Sequence, residues 1–256
     1  MVGQGDMAGR SGQSGQFGQS GQGAGAGAEP APAPARGVSV VIPTLNAAPG
    51  LGRCLAALAE GRAAGLVAEI IVSDGGSVDG TRAIARAAGA VVVLGAPSRG
   101  GQLARGAAAA RGAWLLFLHA DTVLGAGWAG VVRAHLGDGR PAHFRLRFDH
   151  SGAAARLVAG WANLRARLFR LPYGDQGLLI TRAEYRAAGG HPDIPLMEDV
   201  ALARRLGRRL VGLPVVATTS AARYLAEGWL RRGARNLWLL LRYLAGADPA
   251  RLARRY

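Results

Sequence analysis

The chain has 256 residues, enough for one sizeable hydrophobic core or for one catalytic domain with an added tail. Its 31 basic residues, all of them arginine, outnumber 16 acidic residues and give a formal net charge of +15. This charge favours anionic partners such as nucleotides, phosphates or acidic lipid surfaces, without choosing among them. The arginines form no helix-turn-helix or aromatic-interleaved pattern, so no nucleic-acid partner is expected.

Cysteine content and hydropathy indicate the compartment. A single cysteine, Cys54, excludes an intrachain disulfide and fits a reducing environment. Residues 1–35 contain no apolar core of a secretory signal, and no charge-free run approaches the roughly 18 to 20 apolar residues of a membrane span. We therefore expect a cytoplasmic protein that at most binds peripherally to the inner face of the membrane.

Residues 1–36 differ in composition from the rest of the chain. They consist largely of Gly, Gln and Ser followed by Ala-Pro repeats, with almost no large apolar side chains. Such a segment buries too little apolar surface to offset the entropy cost of becoming ordered. We predict a disordered leader that ends at residue 36.

Short apolar runs alternate with helical patterns in the next part of the chain. Strands are predicted at residues 38–42, 69–73, 91–94 and 115–118, with Pro43 ending the first. The intervening helices are predicted at residues 51–58, 82–88 and 102–111. This alternation predicts right-handed βαβ units and an α/β fold with a mainly parallel, Rossmann-like sheet flanked by helices. Neither a GxGxxG fingerprint nor a P-loop follows the first strand, which disfavours a dinucleotide-binding domain.

Polar side chains follow several of these strands. Thr44 and Asn46 come after the first strand, Asp74 after the second, and His119 and Asp121 after the fourth. Because the carboxyl ends of parallel strands meet at one edge of a sheet, these side chains should converge on one crevice. His119 and Asp121 are potential metal ligands there. The alternative is that Asp121 begins a turn or caps a helix.

The second half of the chain holds a polar loop and an acidic pair. Asp175 and Gln176 lie between glycines, where their side chains either meet a substrate or close an Asx turn. Glu198 and Asp199 begin a predicted helix, where they are either functional carboxylates or acids that stabilise the helix N-terminus. Another strand and another helix are predicted at residues 143–148 and 153–169.

The tail from Trp229 to Leu244 has a helical pattern with a basic, aromatic stripe on one side and leucines on the other. This helix is expected to dock on the core, to cover the site, or to rest on an anionic membrane. The expected segments are a leader (1–36), one catalytic domain (37–225) with halves at 37–125 and 126–225, and a helical tail (226–256).

Five motifs stand in order between Val38 and about Leu210. They are Val40–Asn46, Ile71–Thr81, His119-Ala120-Asp121, Gly177–Arg182 with Gly189-Gly190, and Glu198-Asp199. In this combination the chain resembles the family 2 glycosyltransferases of GT-A fold, with His119-Ala120-Asp121 as a version of their Asp-x-Asp motif. Residues 119–122, 173–177 and 195–199 further resemble a bacterial subgroup associated with radical SAM and selenodomain genes. The Gln-x-x-Arg-Trp motif of processive synthases is missing, which favours a single transfer.

The resemblance implies an inverting, metal-dependent transfer of a sugar from a nucleotide diphosphate donor, UDP-sugar by default, to a hydroxyl acceptor. It implies that Asp121, with His119, holds Mg²⁺ or Mn²⁺ against the diphosphate. His119 stands where the family usually has an aspartate. An imidazole there suits Mn²⁺ better than Mg²⁺, or contacts the ribose or substrate instead. The implied nucleotide site consists of Pro43, Thr44, Asn46, Asp74, Gly75 and Arg99.

The resemblance also implies roles in the second half. Asp199 would be the catalytic base with Glu198 orienting it, and Asp175 and Gln176 would contact the acceptor or the sugar. The acceptor stays open, with a lipid-linked one among the candidates, and so does the oligomeric state. Two rival functions remain. A sugar nucleotidyltransferase would usually carry a glycine-rich basic loop after the first strand, and a non-catalytic nucleotide- or anion-binding protein would show no turnover.

Overall fold

The computed structural model of the chain describes residues 35–255. The predicted leader, residues 1–36, lies outside this range except for Ala35 and Arg36, which belong to the first strand. The strand therefore begins before Val38, its predicted start, and the leader stays a prediction.

The first half of the described chain alternates strands and helices as predicted. Its elements are β1 (Ala35–Thr44), α1 (Ala48–Ala57), α2 (Ala59–Ala63), β2 (Val67–Asp74), α3 (Thr81–Ala87), β3 (Val91–Leu94), α4 (Arg99–Ala109) and β4 (Gly112–Phe117). The second half contains β5 (Val123–Leu124), α5 (Trp128–His135), β6 (Ala142–Phe148), α6 (Ala153–Phe169), β7 (Leu178–Thr181), α7 (Arg182–Ala187), α8 (Glu198–Leu206), β8 (Val211–Thr219), α9 (Ala222–Glu227), α10 (Trp229–Leu244) and α11 (Pro249–Ala253). Short 3-10 turns lie at Gly174–Gln176 and Gly207–Arg209.

Within residues 35–255, eight strands form one sheet in the order β3-β2-β1-β4-β7-β6-β8-β5. The first four of these run parallel to one another, and β6 runs parallel to β8. β7 is antiparallel to both neighbours, and β5 is antiparallel to β8. The order of the strands reverses between β1 and β4, where an α/β sheet opens a ligand crevice at its carboxyl edge. The predicted α/β fold with a mainly parallel sheet is confirmed.

Apolar side chains of the central strands alternate between the two faces of the sheet. In β1, Val40 and Ile42 belong to the core on one face, and Val41 belongs to the core on the other. The pleat causes this alternation because successive side chains point to opposite sides. One core also contains side chains of α1 and α5, and the other contains side chains of α4, α8 and α10. Helices therefore cover both faces.

Pro43 does not end β1, contrary to the prediction. Pro43 is paired with Ser73 of β2, and the pairing of β1 with β4 ends earlier, at Val41. The carbonyl of Val41 accepts a hydrogen bond from Leu118, so odd-numbered residues here face β4. At position 43 a backbone N–H would face β4, which no longer pairs with β1 there. Pro43 lacks this N–H, so no hydrogen bond of the sheet is lost. As a result, the strand continues and brings Thr44 beside Asp74.

α4 begins at Arg99, three residues before the predicted start at Gln102. The hydroxyl of Ser98 accepts a hydrogen bond from the N–H of Gly101 at 3.4 Å, which caps the helix earlier than its alanine pattern suggests. The longer helix places Arg99 in its first turn, at the carboxyl edge of the sheet.

α10 has the predicted bounds and packs against the core. Leu239 and Leu240 of its inner face are buried there, so the expected docking of the tail on the core is observed, and the outer face of the helix stays exposed. Across residues 35–255, no helix combines the length and the apolar character needed to cross a bilayer.

Candidate active site

A cleft of about 660 Å³ opens at the carboxyl ends of the central strands. Most of the residues predicted to form a site line it: Pro43, Thr44, Asn46, Arg99, His119, Asp121, Asp175, Glu198 and Asp199. Three others, Asp74, Gly75 and Gln176, are absent from its lining. The fold thus gathers nine predicted residues from both halves of the chain around one space.

Asp74 is fully buried at the end of β2, and its carboxylate binds groups of this chain. One oxygen accepts hydrogen bonds from the hydroxyls of Thr44 (2.9 Å) and Ser77 (2.5 Å). The other accepts them from the N–H groups of Gly76 (3.1 Å) and Ser77 (2.9 Å). Burial raises the pKa of Asp74, but these hydrogen bonds outweigh burial and hold the pKa below its usual range. Asp74 fixes the loop after β2, and its direct contact with a nucleotide stays a prediction.

The loop after β2 also caps α1, which has no side-chain cap of its own. The N–H of Ala47 donates to the hydroxyl of Thr81 at 2.8 Å, and the N–H of Ala48 donates to the carboxylate of Asp79 at 3.1 Å. These bonds satisfy N–H groups that the helix itself leaves without partners. The start of α1 is therefore set by residues more than thirty positions away.

Asn46 joins the loops after β1 and β2 at the edge of the cleft. Its backbone has a left-handed φ of 51°, which asparagine tolerates better than most residues. Its N–H donates to the hydroxyl of Ser77 at 2.8 Å, and its side-chain oxygen accepts from the N–H of Val78 at 3.0 Å. The two loops are thereby held at a fixed separation.

Gln102 was not among the residues predicted from the sequence. It is buried on α4, and its amide donates to the carbonyls of Thr44 (2.6 Å) and Ser73 (2.9 Å). A Cβ on Gly75 would lie 3.1 Å from this amide, so the glycine leaves room for Gln102. In the sequence, the only signal for Gln102 was that it is the one amide side chain in a predicted helix rich in alanine and glycine. Gly75 and Gln102 together shape the floor below the end of β1.

Arg99 connects α4 with the acidic start of α8. Its Nε atom lies 2.8 Å from Oε1 of Glu198, whose side chain is 2 % exposed. Burial raises the pKa of Glu198, Arg99 opposes this rise, and the neighbouring Asp199 adds to it. Glu198 therefore depends on Arg99 to carry a charge in this position.

His119 contacts the same arginine. Both of its ring nitrogens lie near Nη2 of Arg99, with Nδ1 at 3.4 Å. Burial lowers the pKa of His119 well below its usual value, and the charges of Arg99 and Arg223 lower it further. The ring is thus neutral and faces a cation. Its role as a metal ligand stays a prediction.

Asp121 lies at the edge of the cleft between α1 and β8. Its Oδ1 atom is 3.5 Å from the hydroxyl of Thr219, and its side chain has no other hydrogen-bond partner within residues 35–255. A Cβ on Gly50 would approach Cβ of Asp121 to 2.9 Å, so the close packing of α1 here requires glycine. The carboxylate of Asp121 therefore lines the cleft and makes only this one long hydrogen bond within the described residues.

Asp175 and Asp199 enter the cleft from the second half of the chain. The carboxylate of Asp199 accepts hydrogen bonds from the N–H groups of Gly174 (2.6 Å) and Val200 (2.7 Å). Oδ1 of Asp175 is buried and has no hydrogen-bond partner among the described residues. Burial raises the pKa of Asp175 to about 6, with Arg165 opposing the rise and Asp199 adding to it. Asp199 is thus held by backbone N–H groups, whereas Asp175 keeps its proton to a higher pH than an ordinary aspartate.

Gln176 is fully buried and turned toward the protein interior. Its amide nitrogen lies 3.3 Å from both the carbonyl of Phe144 and the side-chain oxygen of Asn163. Its side-chain oxygen accepts from the N–H of Tyr173 at 3.4 Å. This side chain therefore supports the loop that carries Asp175, and its contact with the acceptor or the sugar stays a prediction.

The far wall of the cleft contains residues that the sequence did not indicate. Thr219 and Ser220 follow from β8, Arg223 and Tyr224 belong to α9, and Arg232 belongs to α10. Arg232 is buried and forms an ion pair with Glu227, whereas Arg223 is exposed. Arg223 and Arg232 therefore add basic side chains to the lining of the cleft that also contains Asp175 and Asp199.

An apolar cavity of about 30 Å³ adjoins the cleft and is lined in part by His191. Nδ1 of His191 lies 3.2 Å from the hydroxyl of Tyr185, and its ring meets that of Phe117 edge to face at 4.7 Å. Burial lowers the pKa of His191 to about 3, and Arg99 and Arg205 contribute to the shift.

Acidification is expected to destabilise the protein through His191. The unfolded chain binds this proton near pH 6.5 and the folded chain only near pH 3, so the contribution to stability is full above pH 6.5 and is lost as the pH falls toward 3. Urea unfolding of His191→Phe over this range should show a shallower loss than wild type. His150→Phe, at an exposed histidine, is the control. Equal slopes for wild type and His191→Phe would contradict the prediction.

The side chains of the cleft suit a divalent cation that brings ligands of its own. Residues 35–255 contain no cluster of three His, Cys, Asp or Glu side chains able to hold a metal ion. Asp121 and Asp175 nevertheless supply carboxylates to the same cleft, and the buried Oδ1 of Asp175 has no protein partner there. Mg²⁺ is commonly bound by one or two carboxylates when phosphates and water complete its shell. The residues present therefore fit a cation that arrives with a diphosphate.

The chain is similar to known proteins of one family. The family model described as "Glycosyl transferase family 2" matches residues 39–166. No curated protein matches the chain. Glucosyl-3-phosphoglycerate synthase from Mycobacterium tuberculosis, in complex with Mn²⁺, UDP and glucosyl-3-phosphoglycerate, is 25% identical, with 79% of this chain and 78% of that chain covered and a TM-score of 0.53.

Two further solved structures support the fold alone, because they are less than 25% identical to this chain. That synthase with Mn²⁺ and UDP-glucose is 24% identical, with 81% of this chain and 78% of that chain covered and a TM-score of 0.55. TarS from S. aureus is 14% identical, with 84% of this chain and 68% of that chain covered and a TM-score of 0.54.

Proposed function

The chain belongs to glycosyl transferase family 2, and from this membership we propose that it transfers a sugar from a UDP-sugar to a hydroxyl acceptor, with inversion at the anomeric carbon. As a glycosyltransferase it is neither a nucleotidyltransferase nor a non-catalytic binding protein. The observation that carries the finer proposal is the single cleft in which Asp121, from the first half, lies with Asp175 and Asp199, from the second.

The donor is assigned to the side of the cleft built by the loops after β1 and β2. Pro43, Thr44 and Asn46 line this side, and Asp74 and Gly75 shape it from below. Arg99 adds positive charge at the N-terminus of α4, which suits a diphosphate. UDP is the proposed nucleotide because the structure that is 25% identical to this chain contains UDP.

Asp121 would hold the divalent cation, Mg²⁺ or Mn²⁺, which when bound neutralises negative charge on the leaving diphosphate. The carboxylate supports this role because it lines the cleft and has only a long hydrogen bond to Thr219. His119 accepts a hydrogen bond from Arg99 and thereby orients that arginine toward the cleft. Mn²⁺ in the 25% identical structure supports the choice of cation.

Asp199 is proposed as the catalytic base. The acceptor oxygen attacks the anomeric carbon, its proton passes to the carboxylate of Asp199, and the bond to the diphosphate breaks with its electron pair. One carboxylate suffices because no covalent intermediate forms. The N–H groups of Gly174 and Val200 hold this carboxylate in place, while buried Glu198 holds Arg99. Asp175, which lines the same cleft, is assigned to the acceptor or the sugar.

Calorimetric titration with UDP-, GDP- and dTDP-sugars, with and without Mn²⁺, tests the donor site. We expect one UDP-sugar to bind with Mn²⁺ and to bind more than about tenfold more weakly to Asp121→Ala, because the cation loses its carboxylate ligand. Asp138→Ala, at an acid outside the cleft, is the control and should bind like wild type. If no nucleotide sugar binds under any condition, the donor assignment fails.

A lipid-linked hydroxyl compound is proposed as the first acceptor class to test. α10 lines the cleft with Asn236 and Leu239 and exposes leucines on its other side, so the cleft lies next to an apolar surface. Transfer of labelled sugar into the organic phase of a lipid extract is the expected result. Label that stays in the aqueous phase in every extract would contradict this acceptor class.

A further inference from the structure

α6 and α10 expose most of the large apolar side chains that reach the surface of the described chain. Ten of the fifteen such residues lie on these two helices, five on each. Single exposed leucines are common on soluble proteins, but a cluster on two helices marks an interaction surface. We propose that the outer face of α6 and α10 binds peripherally to an anionic lipid surface.

The exposed residues of α6 form one stripe. The opposite face of α6 is buried and carries small side chains, those of Ala155, Ala159, Ala162 and Ala166. At 100° per residue, the exposed stripe is directed away from this buried face and therefore away from the sheet. The stripe consists of Leu157, Trp161, Leu164 and Leu168, which are 66, 43, 39 and 57 % exposed.

α10 has the same arrangement. Its buried residues Arg232, Leu239 and Leu240 share one side of the helix. Its exposed stripe lies on the other side and consists of Leu230, Leu237, Leu241 and Leu244, which are 74, 37, 57 and 39 % exposed. The helix thus divides its leucines between the core and the surface.

The two stripes lie side by side because the helices contact each other. A Cβ on Gly233 of α10 would lie 3.8 Å from the side chain of Val158 of α6. At 100° per residue, each stripe lies between the side of its helix that faces away from the sheet and the side that contacts the other helix. Together they form one apolar face rather than two separate patches.

The charges around this apolar face indicate which kind of partner binds to it. Neither α6 nor α10 contains an aspartate or a glutamate. Exposed arginines border the apolar face on both outer flanks, Arg156 and Arg167 on α6 and Arg231 and Arg242 on α10. A second copy of the chain would bring these arginines together without acids to pair them. Anionic lipid headgroups pair with them while the leucines enter the boundary with the acyl chains.

This inference goes beyond sugar transfer, since it rests on the outer face of the two helices and not on the chemistry of the cleft. The inner face of α10 carries Arg232, Asn236 and Leu239 in the lining of the cleft. One helix therefore connects the lipid-binding face with the candidate active site.

Sedimentation of the full chain with vesicles tests the inference. We expect binding to vesicles of phosphatidylcholine mixed with phosphatidylglycerol, and much weaker binding to phosphatidylcholine alone or at high salt. Leu168→Glu and Leu241→Glu should each weaken binding about tenfold, because each removes a half-buried leucine contact and adds a negative charge. Leu94→Glu, at a leucine 54 % exposed on β3, is the matched control and should bind like wild type.

Circular dichroism and UDP-sugar binding establish that the variants are folded. The inference is overturned if wild type does not bind anionic vesicles, or if Leu94→Glu weakens binding as much as the two variants of the face. It is also overturned if light scattering shows a dimer that Leu168→Glu and Leu241→Glu dissociate, because the face then belongs to a second copy. Loss of sugar transfer with vesicle binding intact would instead count against the proposed function alone.

Discussion

Asp199→Asn is expected to abolish turnover of the donor while leaving donor binding close to that of wild type. The amide keeps the shape of the carboxylate but cannot accept a proton, so the rate should fall by about 10² to 10⁴-fold. The two oxygens of Asp199 accept hydrogen bonds from the N–H groups of Gly174 and Val200, and the amide can keep only one of these bonds, so the donor affinity also reports whether the loop keeps its place. Release of UDP from the UDP-sugar, with water as the acceptor, gives the rate, and calorimetry gives the donor affinity.

Two further variants make this result specific. Asp193→Asn, at an exposed acid outside the lining of the cleft, should turn over like wild type. Asp175→Asn is the competing assignment, since Asp175 lies in the same wall and its pKa is raised to about 6. If Asp175→Asn loses the rate and Asp199→Asn keeps it, the base is Asp175.

Arg99→Met is expected to destabilise the fold by about 2 kcal/mol above pH 8, where Glu198 is ionised. The substitution leaves the buried carboxylate of Glu198 without its cation. The loss is smaller than for a fully buried pair because about a third of the Arg99 side chain is exposed and screened by solvent. Urea unfolding measures it.

The pH dependence of this loss has a definite sign. Burial already raises the pKa of Glu198 to about 7, and removing Arg99 removes the effect that opposes this rise. The protonated side chain is neutral, so the loss should be small near pH 5 and should grow as the pH rises through about 7. Arg99→Met combined with Glu198→Gln should regain most of the lost stability. A double variant less stable than Arg99→Met would show that the buried charge is not the cause.

The first half of the fold could be predicted from the sequence because its signals are local. Each of the first four strands contains an apolar run, and three of them carry polar residues such as Thr44, Asp74 and Asp121 at or within a few residues of their ends. The parallel arrangement then places those ends on one edge without further information. The predicted bounds were in error where tertiary contacts decide: Pro43 continues its strand because β4 no longer pairs with it, and Ser98 starts α4 early.

The far wall of the cleft could not be predicted because its signals are not local. β8 contains Gly212 and Pro214, which usually weaken a strand, and it forms because it pairs with β6 and β5. Without β8, neither Thr219 nor Arg223 has a place in the site. The roles of Gln102 and Gln176 could not be predicted for a similar reason. The orientation of each side-chain amide depends on backbone groups far away in the sequence.

The capping of α1 by the loop after β2 has a consequence for the entropy of binding. Thr81 and Asp79 fix the first turn of the helix, and Gly50 in that turn lies against Asp121. The surface proposed for the nucleotide base and the carboxylate proposed for the cation are therefore held together by hydrogen bonds and close packing before any ligand arrives. A donor that binds here does not have to order these groups, so more of its contact energy remains as affinity.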